Sequence, residues 1–309
     1  MQARTLALLA PKGRPQITDA DVHAVRGTLP TDLVSGPIQW ADGRRVAFMP
    51  VAVGEDHDEL AEALGQLTER LTLDVTLAPD HFADNPNFAG PKLLVADMES
   101  TIIEQEMLDE LAGEIGLRDR VAKITERAMR GELDFEAAIT ERVALLAGLD
   151  AAVLDTLAAE RISTMAGARE LVATMKARGA YCALVSGGFT HFTRKVAAEL
   201  GFDEHRANSL EIVNGKLTGR VVPPILGKNA KLAALRELSN SNGLTVSETV
   251  AVGDGANDLA MLREAGLGVA FRAKPQVQAE MRRHPRGAVV THCDLTAILY
   301  LQGAASIAP

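Results

Sequence analysis

The sequence predicts an α/β protein: a doubly wound parallel sheet carrying an inserted helical cap, preceded by a small α+β module of ferredoxin-like type. Three observations carry this expectation. Three apolar, β-rich runs, Lys92 to Ala96, Tyr181 to Val185 and Thr249 to Val252, are separated by stretches of helical pattern, as in parallel strands covered by helices on both faces. Between the first and second runs lie roughly eighty residues of almost wholly helical pattern, far more than a crossover between parallel strands requires. Before the first run, the chain reads strand, helix, strand, strand, helix, strand, the succession of a split βαβ module.

Taken in order, Thr5 to Leu9 is a short strand, and Asp19 to Leu29 is a helix with Thr18 as its N-cap. Val34 to Trp40 and Arg45 to Val53 flank Asp42-Gly43, a strong hairpin pair. Asp58 to Leu71 carries Leu60, Leu64, Leu67 and Leu71 at helical spacing, and Leu73 to Leu77 is a further strand. Pro79 to Pro91, rich in Pro, Asn, Asp and Phe, reads as a linker. Beyond it, Leu267 to Phe271 and Ala288 to Thr291 are shorter strand candidates. Leu210 to Val222, turning at Asn214-Gly215, is an antiparallel addition. The expected division is a module at 1–80, a linker at 81–91, a core built from 92–102 and 166–300, and a cap at 103–165.

Composition narrows the function. A formal net charge of −9 argues against non-specific nucleic-acid or anionic-membrane binding, which need a cationic surface, yet leaves room for a local anion site. No apolar stretch approaches the ~20 residues of a membrane span, and Leu6 to Ala10 is too short for a signal-peptide core. Cys182 and Cys293 read as reduced thiols. The expected location is the cytoplasm.

Each apolar run ends in a small polar cluster: Asp97-Met98-Glu99-Ser100-Thr101, Ser186-Gly187-Gly188, and Gly253-Asp254-Gly255-Ala256-Asn257-Asp258. In a parallel sheet these ends share one edge, where ligands bind. Asp97, Glu99, Asp254 and Asp258 would then bring up to four carboxylates together, which requires a cation; hard oxygen ligands favour Mg²⁺. Ser186-Gly187-Gly188, at a strand-to-helix turn, offers a hydroxyl and unobstructed N–H groups to phosphate oxygens. Lys231, on the amphipathic stretch Asn229 to Leu238, adds a positive charge. Metal, N–H cradle, lysine and a free carboxylate are the parts that phosphoryl transfer uses. Singly, each piece has a plainer reading as a helix cap, a turn or a solvated face. Gly-Asp-Gly-Ala-Asn-Asp also lacks the ligand alternation and terminal glutamate of an EF-hand. Their joint occurrence at strand ends favours the chemical reading.

These residues resemble the haloacid dehalogenase superfamily, and its phosphoserine phosphatase branch in particular, over about residues 90 to 298. The superfamily pattern Asp-x-Asp-x-Thr, then Ser or Thr, then Lys, then Gly-Asp-x-x-x-Asp is matched by Asp97 to Thr101, Ser186, Lys231 and Gly253-Asp254 to Asp258. Ile102 to Leu111, Glu126 to Arg142 (with Gly131 to Phe135), Val185 to Phe189 and Val250 to Asp258 resemble the branch itself; the first eighty residues are similar, more weakly, to its ACT-like extension. The resemblance implies that Asp97 is the nucleophile of O-phospho-L-serine hydrolysis, the last step of serine biosynthesis. It implies Mg²⁺ on the Asp97 carboxylate, the Glu99 backbone carbonyl and Asp254, with Asp258 close by or bridged by water. Ser186, Gly187, Gly188 and Lys231 would hold the phosphoryl oxygens, and Asn257 would orient them. From the cap, Glu106 would meet the substrate ammonium and Arg142 its carboxylate, with Met129 and Phe135 closing an apolar lid. A homodimer is left open.

One position departs from the pattern. Where the family has aspartate as general acid and base, this chain has Glu99. The extra methylene shifts the carboxyl by roughly a bond length, and ångström-scale misplacement can cost on the order of 10²-fold. Alternatives therefore stay open: transfer to another small alcohol, hydrolysis of another small phosphate ester, or a metal-binding regulatory module.

Overall fold

Thr18 opens the first helix as expected. Its hydroxyl accepts the Asp21 N–H at 3.2 Å, and the Asp21 carboxylate accepts the Thr18 N–H at 2.8 Å, a reciprocal capping box. A computed structural model describes residues 2–29, 33, 36–53, 58–79, 90–130, 132–227 and 229–303. Val34, Gly131 and residues 80–89 of the predicted linker lie outside the described residues, whereas Pro79 ends a strand.

The N-terminal module runs β1 (Gln2–Leu9), α1 (Asp19–Thr28), β2 (Gln39–Ala41), β3 (Val46–Val53), α2 (Asp58–Leu71) and β4 (Asp74–Pro79). Its antiparallel sheet has the order β2-β3-β1-β4, that of a ferredoxin-like unit. Among the described residues of the strand expected over Val34 to Trp40, strand structure begins at Gln39 and runs to Ala41. Pro37 precedes it and supplies no ladder donor, and the strand sits half-exposed at the sheet edge. Side chains alternate along β1: Leu6 and Leu8 enter the module's own core, whereas Ala7 and Leu9 join the core of the larger unit.

The larger unit is built on a sheet of order β11-β10-β9-β5-β6-β7-β8. Its strands are β5 (Leu93–Ala96), β6 (Tyr181–Phe189), β7 (Glu204–Val213), β8 (Lys216–Val222), β9 (Thr249–Gly253), β10 (Leu267–Phe271) and β11 (Gly287–Val290). All neighbours pair in parallel except β7 with β8. The hairpin predicted at Asn214-Gly215 thus extends the main sheet; both turn residues take positive φ, 50° and 73°. In β5 every residue is buried, with Leu93 and Val95 facing one layer and Leu94 and Ala96 the other. The first layer contains α9 (Ala230–Ser241), α10 (Leu259–Glu264) and α11 (Pro275–Arg283); the second contains α7 (Ala168–Ala177), α8 (Thr190–Leu200) and α12 (Ala297–Leu301).

Between β5 and α7 lie α3 (Met107–Glu114), α4 (Arg118–Met129), α5 (Phe135–Ala144) and α6 (Ala152–Glu160). The chain leaves and re-enters the core side by side. Ile103 bridges Thr164, the Glu104 N–H donates to Ser163 at 3.0 Å, and the Met165 N–H donates to Ile102 at 2.8 Å.

The module docks on the outer edge of β11 through side chains of β4. The buried Asp74 carboxylate accepts the N–H groups of Thr291, His292 and Cys293 at 2.7, 3.0 and 2.8 Å, and the Thr76 hydroxyl accepts that of Val289 at 2.9 Å. Both cysteines are free and buried. Among the described residues no helix is long and apolar enough to cross a membrane.

One expectation is corrected here. Ser186-Gly187-Gly188 does not form a strand-to-helix turn, because β6 continues through it to Phe189. The pairing with β7 slips instead, from Val185 opposite Arg206 to Phe189 opposite Asn208. Four steps of β6 (185 to 189) thus face two steps of β7 (206 to 208), so the glycines bulge from the ladder.

Candidate active site

Strands β9, β5 and β6 are adjacent and parallel, so their polar ends meet, as the shared-edge argument requires. Asp97 follows β5; its N–H donates to Val252 at 3.0 Å, and its own Oδ1 accepts the Met98 N–H at 2.8 Å. Asp254 follows β9, and Ser186 lies within β6. Lys231, in the first turn of α9, places Nζ 2.6 Å from Asp97 Oδ1 and 2.5 Å from Asp258 Oδ1. Asp97, Ser186, Lys231, Asp254 and Asp258 are all buried. The second oxygen of Asp258 accepts the Gly255 N–H at 2.9 Å. Glycine at 253 is required by this closeness, since a Cβ there would sit 2.4 Å from the Asp258 carboxyl carbon.

The electrostatics follow from that crowding. Burial, then repulsion from Asp258, holds the Asp97 carboxyl well above its usual range. Burial and Asp258 push Asp254 up to about 6. Burial alone would lower Lys231, but the charges of Asp258 and Asp97 outweigh it and the net shift is upward. Oxygens of Asp97, Asp254 and Asp258 lie within 4.8 Å of one another, with one lysine among three carboxylates. Among the described residues, the Asp254 carboxylate has no hydrogen-bond donor or ion-pair partner. An all-oxygen, under-neutralised, buried set of this kind fits a hard divalent cation.

Glu99 reaches away from this cluster. Its Oε1 accepts the N–H of Met107, the first residue of α3, at 2.9 Å. Its carboxylate also lies against Gly188, where a Cβ would meet Glu99 Oε2 at 2.8 Å. Burial and the nearby Glu106 push the Glu99 carboxyl up to about 8. A carboxyl raised in the folded state keeps a proton that the unfolded chain, titrating near ~4, has released. Such stability is full below the unfolded value and is lost as pH rises through the folded one. In metal-free protein, Tm is therefore expected to fall between about pH 4 and pH 8, with Asp254 acting in the lower part of that window and Glu99 in the upper. Thermal unfolding of Glu99→Gln in chelator should show the decline flattened above about pH 6; an unchanged profile would remove Glu99 as its source.

A cavity of about 530 Å³ opens over these groups. Its floor includes Asp97, Glu99, Gly187, Gly188, Asp254 and Asn257; Glu106, Phe135 and Arg142 close it from the α3–α6 side. Arg142 is half-buried, its Nε donates to Ala138 at 3.2 Å, and burial lowers its pKa. Among the described residues it makes no ion pair. Glu106 is exposed and accepts the Ser100 hydroxyl at 2.8 Å. The Phe135 ring covers Gly187, where a Cβ would meet it at 3.1 Å. Met129 ends α4, and its side chain lies outside the described ones.

Two residues of this region were not singled out from the sequence. Lys274, which precedes α11, lines the cavity; its N–H donates to the Asp254 carbonyl at 3.0 Å and its charge opposes the rise of Asp254. It follows β10 by three positions, so extending the strand-end argument to the fourth parallel strand finds it. Asn208, buried in β7, touches the Gly187 backbone; no linear pattern marks it.

The family model that matches the chain is that of haloacid dehalogenase-like hydrolases, over residues 94–263. The phosphoserine phosphatase of Streptomyces coelicolor is 43% identical over 265 residues, 84% of this chain and 62% of that protein. That of Streptococcus thermophilus is 48% identical over 188 residues, 61% of this chain and 87% of that protein. Against the first three curated relatives the chain spans only 62%, 62% and 50% of their length. The unliganded structure of a probable phosphoserine phosphatase from Vibrio cholerae superposes with a TM-score of 0.76 at 32% identity, covering 98% of this chain and 87% of that one. With the matched segment running from inside β5 through α10 and holding all the strand-end clusters, the chain belongs to the haloacid dehalogenase-like hydrolase family.

Proposed function

We propose that the protein is a Mg²⁺-dependent phosphoserine phosphatase working through an aspartyl-phosphate on Asp97, at the last step of serine biosynthesis in the cytoplasm. The observation that carries the substrate assignment is Arg142, a half-buried guanidinium without an ion-pair partner among the described residues. It faces the same cavity as Asp97 and Glu99. A planar guanidinium in that setting favours a carboxylate. Glu106, on the same wall, suits an ammonium group. Phosphate, carboxylate and ammonium on one small molecule describe phosphoserine, the substrate named for the curated relatives.

In this reading Asp97 attacks phosphorus in line with the leaving serine oxygen. Ser186, Gly187, Gly188 and Lys231 hold the phosphoryl oxygens, and Asn257 orients them. Glu99, kept protonated near neutral pH by its raised pKa of about 8, gives its proton to the serine oxygen. The resulting carboxylate then takes a proton from water, which attacks the aspartyl-phosphate, releases phosphate and frees Asp97. Asp97, Asp254 and the Glu99 carbonyl would hold Mg²⁺, with Asp258 close by, and the ion would supply positive charge against the carboxylates and phosphoryl oxygens. The segment 103–165 serves as the cap, with Phe135 and Met129 keeping water out until serine has left.

The test compares L-phosphoserine with phosphoethanolamine, which lacks the carboxylate, in wild type and Arg142→Ala. Losing a charge-assisted contact should raise KM for phosphoserine by about 10–100-fold and leave phosphoethanolamine nearly unchanged. Equal effects on both would take Arg142 out of the carboxylate role. Wild-type protein that hydrolyses other small phosphates but not phosphoserine would overturn the substrate.

A further inference from the structure

Building on the phosphatase reading, we propose that Asn208 is a positioning residue. Its side-chain amide fixes the direction of the Gly188 N–H and joins the Ser186–Gly188 bulge to the loop leading into Lys231, so that both present their donors to one phosphoryl group.

The bulge creates the need. Where β6 slips against β7, the ladder that would hold the backbone between Val185 and Phe189 is missing, and two of the residues left unsupported are glycines, the least restricted of all. Asn208 sits opposite Phe189 in that register and is fully buried. Its Nδ2 donates to the Gly187 carbonyl at 2.9 Å and to the Leu226 carbonyl at 3.4 Å, and its Oδ1 accepts the Leu226 N–H at 2.7 Å. Donor and acceptor are both used, which neither a carboxylate nor an aliphatic side chain can reproduce.

The consequence for Gly188 is geometric. In a trans peptide the C=O and the following N–H point in opposite directions. With the Gly187 carbonyl tied to β7, the Gly188 N–H is turned the other way, toward Ser186 Oγ at 2.9 Å and the side on which Glu99 lies. The other hydrogen bonds tie down Leu226, which leads through Gly227 into the first turn of α9, and hence to Lys231. Leu226, Gly227 and Lys231 line one small cleft with Ser186 and Gly187. One buried amide thus sets the spacing between the N–H cradle and the lysine; the Phe135 ring also packs against both segments, but no other described side chain hydrogen-bonds to both.

Asn208→Asp keeps the size and the acceptor for Leu226 but removes the donor to Gly187, and two oxygens then face each other. Asn208→Ser, smaller and neutral, carries the same comparison if the aspartate variant does not fold. Calorimetry in Mg²⁺ buffer would follow binding of inorganic phosphate and of L-serine separately, beside steady-state turnover and Tm. We expect phosphate affinity to fall by about tenfold or more and kcat by on the order of 10²-fold. L-serine affinity should hold within about twofold, because the amino acid is gripped from the cap. Parallel losses for phosphate and serine, or a drop in Tm with phosphate binding intact, would make Asn208 merely structural and overturn the proposal. Wild-type protein that binds phosphate without hydrolysing phosphoserine would instead sink the phosphatase reading, while the phosphate-versus-serine split would still decide on Asn208.

Discussion

Asp97→Asn is expected to release no measurable phosphate from L-phosphoserine, a loss of about 10⁴-fold or more, as for removal of other covalent nucleophiles. The amide has the shape of the carboxylate but cannot attack phosphorus, and it is a poorer ligand for a hard cation. Folding should survive: Asp97 is one of three carboxylates crowded within 4.8 Å, and Lys231 keeps Asp258 as its partner at 2.5 Å. The measurement is acid-quenched single turnover with labelled substrate, beside thermal unfolding. Wild type should trap label on protein and the variant none, at equal or higher Tm. A variant retaining a tenth of wild-type turnover would exclude a covalent route through Asp97.

The second large effect is expected at Lys231. Its ammonium lies between Asp97 and Asp258 and is almost inaccessible, at 4% exposure. Lys231→Met keeps most of the apolar stem but leaves two buried carboxylates without their cation. Removing one partner from a buried ionic cluster typically costs about 3–5 kcal/mol. Urea unfolding in chelator should therefore show a loss of that order. Added Mg²⁺ should restore much of it, because the ion supplies charge to the same oxygens. Turnover should not return, since the phosphoryl oxygens still lack the lysine. Unchanged stability in chelator would mean that the carboxylates take up protons at no cost, and the charge-crowding account of the site would fail.

Much of this arrangement was legible in the chain because it rests on short-range rules. The buried runs around Val95, Leu184 and Ala251 are uniformly apolar, as strands covered on both faces must be. Polar clusters at parallel strand ends have one place to go, and Asp97, Gly187 and Asp254 meet there. The Asp42-Gly43 and Asn214-Gly215 pairs located both hairpins through their positive φ.

What stayed hidden depends on distant partners. Ser186-Gly187-Gly188 looks like a turn in one dimension; only the register against Arg206 and Asn208 makes it a bulge. Lys231 is placed at the site by its order among the motifs, but its burial was not legible, because that follows from α9 packing against a sheet whose strands come from elsewhere in the chain. Asp74 stands alone among apolar neighbours in the sequence, and its three N–H partners lie more than two hundred positions away. Asn208 is silent for the same reason: its partners belong to two other segments.

The Asp74 contact has a further meaning for the state of the protein in a crowded solution. An open parallel sheet ends in a strand whose outward N–H groups invite a strand from another molecule. On β11 that invitation is withdrawn by side chains, because the Asp74 carboxylate and Thr76 hydroxyl occupy the donors of Val289, Thr291, His292 and Cys293. Side-chain acceptors satisfy an edge without extending it, so the sheet ends at β11. The N-terminal module therefore acts as a terminator for the catalytic sheet, and a chain trimmed to the hydrolase unit would present a sticky apolar edge where the intact protein presents none.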